Sequence, residues 1–149
     1  MTLPNVPEAL SKPEYDKLGD MQRERANEED HVALERVRRI CFGFARAEES
    51  ELQGRPLFRV GKRRFAIFNG AVSPARPRWN ASGRSLHFLT DPLEVEALRQ
   101  DRRFSASPHH GNRGWMALRL DALDVDWHEV AELLESAYRQ VLPHSSITK

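Results

Sequence analysis

The most constraining feature of the sequence is an amphipathic stripe near its C-terminal end. Its apolar residues recur at i, i+3, i+4, i+7, i+8 and i+11, the spacing of one face of an α-helix. They are Val130, Leu133, Leu134, Ala137, Tyr138 and Val141. Asp126, with Glu129 three residues later, forms a capping box that begins the helix, and Pro143 ends it. Such a stripe is stable only under a second layer, which the rest of the chain must supply.

A second apolar stripe predicts a helix from about Asp30 to Phe44, with Asp30 as its N-cap. The stripe consists of Ala33, Val37, Ile40, Cys41 and Phe44. Because Cys41 lies within it, we expect a buried, inert thiol. Cys41 is also the only cysteine, which excludes an intrachain disulfide and a cysteine-based zinc site.

The residues before this helix are polar and contain Pro4, Pro7 and Pro13. They predict a partly disordered arm over residues 1–28, followed by a single domain over residues 29–149. The absence of a basic start followed by an apolar stretch argues against a secretory signal, so we expect a cytoplasmic protein.

Between the helices the apolar period changes to that of β-strands. Residues 56–68 predict a hairpin whose turn, Gly61-Lys62, is of type II′ because glycine takes the first central position. Residues 84–89 and 115–120 alternate as further strands. A short helix over residues 91–100, capped by Asp91, separates them.

The alternation also predicts which strand residues face the core. In the two later strands these are Leu86, Phe88, Met116, Leu118 and Leu120. Trp115 either packs under the final helix or lies on the open face of the sheet beside Arg119, and we favour packing since large aromatic residues are mostly buried. The whole pattern predicts an α+β fold, with an antiparallel sheet packed on one face by the N- and C-terminal helices.

The formal net charge of +1 conceals an uneven distribution. Residues 1–30 contain four Lys/Arg and eight Asp/Glu, whereas no acidic residue lies between Glu51 and Asp91. A surface that carries this basic segment attracts polyanions. Alternatively, the arginines only keep one face of the sheet soluble.

Several basic residues of this segment stand beside aromatic residues, as in Phe58-Arg59, Arg64-Phe65 and Arg78-Trp79. Nucleic-acid surfaces combine cations for phosphates with aromatic faces for stacking. The phenylalanines also suit a core, and a basic hairpin tip also protects an edge strand from aggregation.

Metal binding and catalysis find less support in the sequence. His109 and His110 are adjacent, so they diverge in an extended chain, and the other four histidines are isolated. The chain has no nucleophile elbow, phosphate loop or zinc-hydrolase motif. Glu48, Glu49 and Glu51 form an acidic run, for which a solvated loop rim is the usual structure.

Four ordered motifs resemble the MmcQ/YjbR-like family: "FRVGKRRFAIF", "LHFLTDPLEVEALRQ", "GNRGWMALRLD" and "ELLESAYRQVLP". The resemblance covers residues 32–143. It implies a CyaY-like α+β domain, related in architecture to frataxin, and a DNA-binding role through a "double wing" of strands and helices. The family motifs match this chain at Phe58, Val60, Lys62, Phe65, Ala66, Asn112, Arg113, Gly114, Trp115, Ser136, Ala137 and Tyr138.

The chain departs from the family pattern in three places. His87 stands where a lysine is frequent. Phe44-Ala45-Arg46 replaces a turn that usually reads Leu-Pro-Gly. Residues 69–83 are longer and richer in arginine than expected, and their arginines can replace the basic side chain that is missing at His87.

We therefore expect a small, non-catalytic nucleic-acid-binding protein, with DNA as the expected ligand. It is expected to be a monomer that needs no cofactor, binds no metal and has no membrane partner. The predicted phosphate contacts are Arg59, Lys62, Arg63, Arg64, Arg76, Arg78, Arg84 and Arg113, and Trp79 is a stacking candidate.

Two other functions remain open from the sequence. The first is a protein-interaction or regulatory module, in which the acidic arm covers the basic face or binds a partner of its own. The second is frataxin-like metal handling by Glu48, Glu49 and Glu51.

Overall fold

The computed structural model describes residues 12–70, 83–107, 114–121 and 124–142. The elements in chain order are α1 (Lys12–Cys41), β1 (Ala47–Leu52), β2 (Arg55–Val60), β3 (Arg63–Asn69), β4 (Ser85–Leu89), α2 (Val95–Arg99), β5 (Phe104–Ala106), β6 (Trp115–Arg119) and α3 (Trp127–Val141). The strands form one antiparallel sheet in the order β1-β2-β3-β4-β6-β5. Both α1 and α3 pack on one face of it, which confirms the predicted α+β class.

Helix α1 spans Lys12–Cys41, so the predicted start at Asp30 is wrong. Pro13 is compatible with the start at Lys12 because a proline in the first turn of a helix loses no intrahelical hydrogen bond. Asp30 is fully buried within the helix and does not cap it.

None of the helices in the described ranges is long and apolar enough to cross a membrane.

Strand β1 lies at the edge of the sheet, where the sequence predicted a solvated loop. It contains the acidic run, and it pairs with β2 from Ala47↔Val60 to Leu52↔Arg55. The connecting residues Gln53 and Gly54 have φ angles of 52° and 82°, which suits a type I′ hairpin turn. The strand was not apparent from the sequence because it lacks apolar alternation.

The β2–β3 hairpin has the predicted two-residue turn. Gly61 has a φ of 60°, whereas Lys62 is not among the residues of positive φ, as a type II′ turn requires. Next to the turn, Arg59 pairs with Arg64 and Phe58 with Ala66, so Phe65 is the extra residue of a β-bulge. The bulge allows Phe65 and Ala66 to point together into the helix-covered core.

Helix α3 closes that core as the sequence predicts. The Asp126 carboxylate accepts hydrogen bonds from the backbone N–H groups of His128 and Glu129, so the predicted cap is confirmed. The buried face of the helix consists of Val130, Leu134, Ala137 and Val141. The ring of Tyr138 stacks on Phe44 at 4.6 Å, and its hydroxyl donates to the Ala45 carbonyl at 2.8 Å.

The other face of the sheet has its own small apolar cluster. Trp115 is buried there with Leu57 and Ile67, so its predicted place under α3 is wrong.

Helix α2 is shorter than predicted. Asp91 accepts the N–H of Leu93, but residues 92–94 form a turn and the helix begins at Val95.

Candidate nucleic-acid interface

The β2–β3 turn presents three consecutive cations to solvent. Lys62, Arg63 and Arg64 are all exposed. Within the described ranges, no side chain forms an ion pair or hydrogen bond with any of them. The positive charges of Lys62 in the turn and of Arg63 and Arg64 at the start of β3 are therefore available to an anion outside the molecule.

Arg46 lies next to this turn, although the sequence did not suggest it as a contact. It directly precedes Ala47, which pairs with Val60, the residue before the turn. Arg46 is exposed and has a φ of 67°, a left-handed conformation that favours glycine. It stands where related sequences usually have the glycine of a Leu-Pro-Gly turn, so that departure was the available signal. We define Arg46, Lys62, Arg63 and Arg64 as the turn cluster.

Arg59 is largely occupied within the protein. Its guanidinium donates to the Gly61 carbonyl at 2.7 Å and to the Ser50 hydroxyl at 3.3 Å, and it pairs with Glu48 at 3.0 Å. These bonds hold the turn in place. Arg59 therefore supports the turn cluster rather than adding a free cation to it.

Arg84 lies at the opposite end of the sheet from the turn. Its guanidinium donates to the Asp30 carboxylate at 2.9 Å and to the Leu120 carbonyl at 3.0 Å, and it approaches Glu29 at 3.6 Å. Its side chain is only 12% exposed. The structure thus separates Arg84 from the turn cluster and commits it to internal partners.

Four other predicted contacts, Arg76, Arg78, Arg113 and Trp79, lie outside the described residues, as do His109 and His110. The described flanks of these segments differ in position. Ser107 and Gly114 lie at the same end of the sheet as the β2–β3 turn. They directly adjoin Ala106 and Trp115, and Trp115 pairs with Leu89 at that end. Gly70 and Gly83 lie at the opposite end, next to the Asn69↔Ser85 pair.

His87, at the position where related proteins often carry a lysine, is not a surface residue. It is buried on the helix-free face, and its two ring nitrogens lie 2.8 Å from the Ser107 hydroxyl and 3.1 Å from the Ser85 hydroxyl. It therefore does not act as a phosphate contact in this conformation.

The acidic run does not form one site, because alternation along β1 sends Glu48 and Glu49 to opposite faces. Glu48 pairs with Arg59, while Glu49 accepts two hydrogen bonds from Arg38 at 2.7 and 2.8 Å. These bonds raise the pKa of Arg38 above its usual value. No group of three potential metal ligands lies together in the described ranges.

Comparison with known proteins identifies the fold and the family. A structure from Deinococcus radiodurans with the domain DUF419 is 21% identical, covers 73% of this chain and 78% of its own, and has a TM-score of 0.58. A Pseudomonas syringae structure is 14% identical, covers 64% of this chain and 87% of its own, and has a TM-score of 0.48. No curated protein sequence matches. The family model described as YjbR matches residues 42–140, and the chain therefore belongs to the YjbR family.

Proposed function

We propose that the protein binds the phosphate backbone of duplex DNA through the turn cluster. The observation that carries this proposal is that Lys62, Arg63 and Arg64 are exposed at or beside one turn and have no ionic partner among the described side chains. Such cations bind phosphates without first breaking an internal ion pair.

The topology supports a second contact at the same end of the sheet. Hairpins β2–β3 and β5–β6 lie on either side of β4. Ser107 and Gly114, the covalent neighbour of Arg113, both lie at the same end of the sheet as the β2–β3 turn. The strand pairs β2–β3 and β5–β6 on either side of β4 fit the double-wing arrangement expected from the family resemblance. Arg113 is thus the next contact in the proposal, whereas Arg84 is left out of it.

Binding through backbone phosphates has a characteristic salt dependence. Four contacts release about four counterions, so affinity falls by about 100-fold between about 50 and 200 mM salt. Because the contacts do not involve base edges, the affinity depends little on DNA sequence.

A salt titration of a fluorescently labelled short duplex, followed by anisotropy, tests the proposal. The variant Lys62→Ala/Arg63→Ala/Arg64→Ala should weaken binding and flatten the salt dependence. The variant Arg99→Ala/Arg102→Ala/Arg119→Ala changes the net charge equally. Its Arg119 pairs with Ser85 at the end of the sheet opposite the turn cluster, and Arg99 and Arg102 precede β5 at that same end. Equal weakening in both variants, or no binding by the wild type at tens of micromolar protein in low salt, would contradict the proposal.

A further inference from the structure

Helix α1 carries a face that the rest of the described chain leaves uncovered. Its inward side chains begin at Asn27. Between Lys17 and Ala26, none of the described side chains is buried, and Leu18 and Met21 are 45% and 56% exposed. The face continues at Val32, which is 60% exposed although it lies beside the domain.

The exposed half of α1 has little to stabilise it by itself. Isolated helices of about 12–15 residues are marginal in water. Gly19 weakens this segment further because glycine is a poor helix former. A helix that is regular in this region therefore calls for a partner on its apolar positions.

The pattern of the face identifies that partner as a second copy of the chain. Leu18, Met21, Arg25, Glu28 and Val32 recur at alternating intervals of three and four residues, as in the seam of a coiled coil. In an antiparallel pair centred between Ala26 and Asn27, Met21 lies opposite Val32 of the partner subunit, and Arg25 lies opposite Glu28 of the partner subunit. A two-fold axis repeats both pairs, so the surface is complementary to itself.

A groove lies beside α1, along the face on which the N-terminal half of the partner helix would pack. It has a volume of about 660 Å³, and the residues that line it include Val32, Leu120, Val125 and Trp127. Arg25 and Arg36 also line it, and the Arg36 guanidinium lies 5.1 Å from the centre of the Trp127 ring.

We propose that the protein forms a homodimer in which the two α1 helices pack antiparallel, each N-terminal half lying along the other's groove. The family model matches residues 42–140, so the proposed interface on α1 lies outside the matched residues. A dimer replaces the monomer expected from the sequence. Its formation is independent of nucleic-acid binding.

Charge reversal tests the pairing directly in sedimentation equilibrium, over about 1–200 µM protein without nucleic acid. Arg25→Glu places two glutamates opposite each other in each pair, and Glu28→Arg places two arginines opposite each other. Each change should raise the dimer dissociation constant at least about 10-fold. The double variant Arg25→Glu/Glu28→Arg should return it to within about 3-fold of the wild type, and mixing the two single variants should give a heterodimer.

The control reverses Glu135 and Arg139, an exposed pair within α3, and should leave the dissociation constant unchanged. Circular dichroism checks that each variant is folded and should show helix content rising with protein concentration in the wild type. A wild type that is monomeric throughout the range would overturn the proposal, as would folded single variants that dimerise normally. Failure of the mixed variants to associate would overturn the antiparallel register.

Discussion

Arg84 and Asp30, 54 positions apart in the chain, form an ion pair of 2.9 Å that joins the start of β4 to the middle of α1. Asp30 is fully buried, and Arg84 is nearly so. Removing Arg84 takes away the cation that pairs with the buried Asp30 carboxylate. We therefore expect Arg84→Ala to lower the free energy of unfolding by about 3 kcal/mol in urea denaturation.

The matched control is Arg139→Ala, which breaks an exposed pair with Glu135 and should cost less than about 1 kcal/mol. The double variant Asp30→Ala/Arg84→Ala should be destabilised by less than the sum of the two single variants, because both single variants lose the same interaction. An Arg84→Ala destabilisation no larger than the control's would show that the pair does not anchor α1.

Burial controls the reactivity of Cys41. Desolvation is the main reason that the pKa of its thiol lies well above the usual value, and the charge of Glu49 raises it further. Since the thiolate is the nucleophile, Cys41 should react with a thiol reagent such as DTNB much more slowly in the folded protein than in urea at the same pH. Stoichiometric labelling of the folded protein within minutes would contradict the buried position.

Asp101 provides a pH probe on the surface. Hydrogen bonds from the Arg103 side chain, and then from its backbone N–H, lower the pKa of Asp101 from 3.8 to about 2. The folded-state pKa is depressed, so the stabilising contribution is complete above pH 3.8 and disappears as the pH falls towards 2. The carboxyl carbon should titrate near pH 2 by NMR, and Arg103→Gln should move its midpoint towards 3.8. An unchanged midpoint in the variant would contradict the assigned cause.

The parts of the fold that follow from local rules could be predicted from the sequence. The capped helix α3 needs only Asp126 and an apolar period of 3.6 residues, and the Gly61-Lys62 turn needs only a glycine between two strands. Strand β1 could not be predicted, because its charged residues become a strand only through pairing with β2 and through long-range partners such as Arg38.

The candidate site shows the same limit. The sequence identified Lys62, Arg63 and Arg64 because they are consecutive at a recognisable turn. It could not separate them from Arg84, whose burial depends on an acid in another element. Period-two alternation assigned Trp115 to a side of the strand, but it does not determine which side the helices cover.

Arg46 allows stability and function to be separated in one substitution. Its φ of 67° is unfavourable for a residue with a Cβ atom, whereas glycine adopts it freely. Arg46→Gly should therefore keep or raise the free energy of unfolding, by up to about 1 kcal/mol, despite the larger unfolded-state entropy of glycine.

The same change removes one cation from the turn cluster. We expect it to weaken duplex DNA binding several-fold at low salt and to reduce the salt slope by about 1. Arg46→Lys keeps the charge and the strained backbone, so it should bind DNA like the wild type. If Arg46→Gly binds DNA as tightly as the wild type, Arg46 does not contact the phosphates.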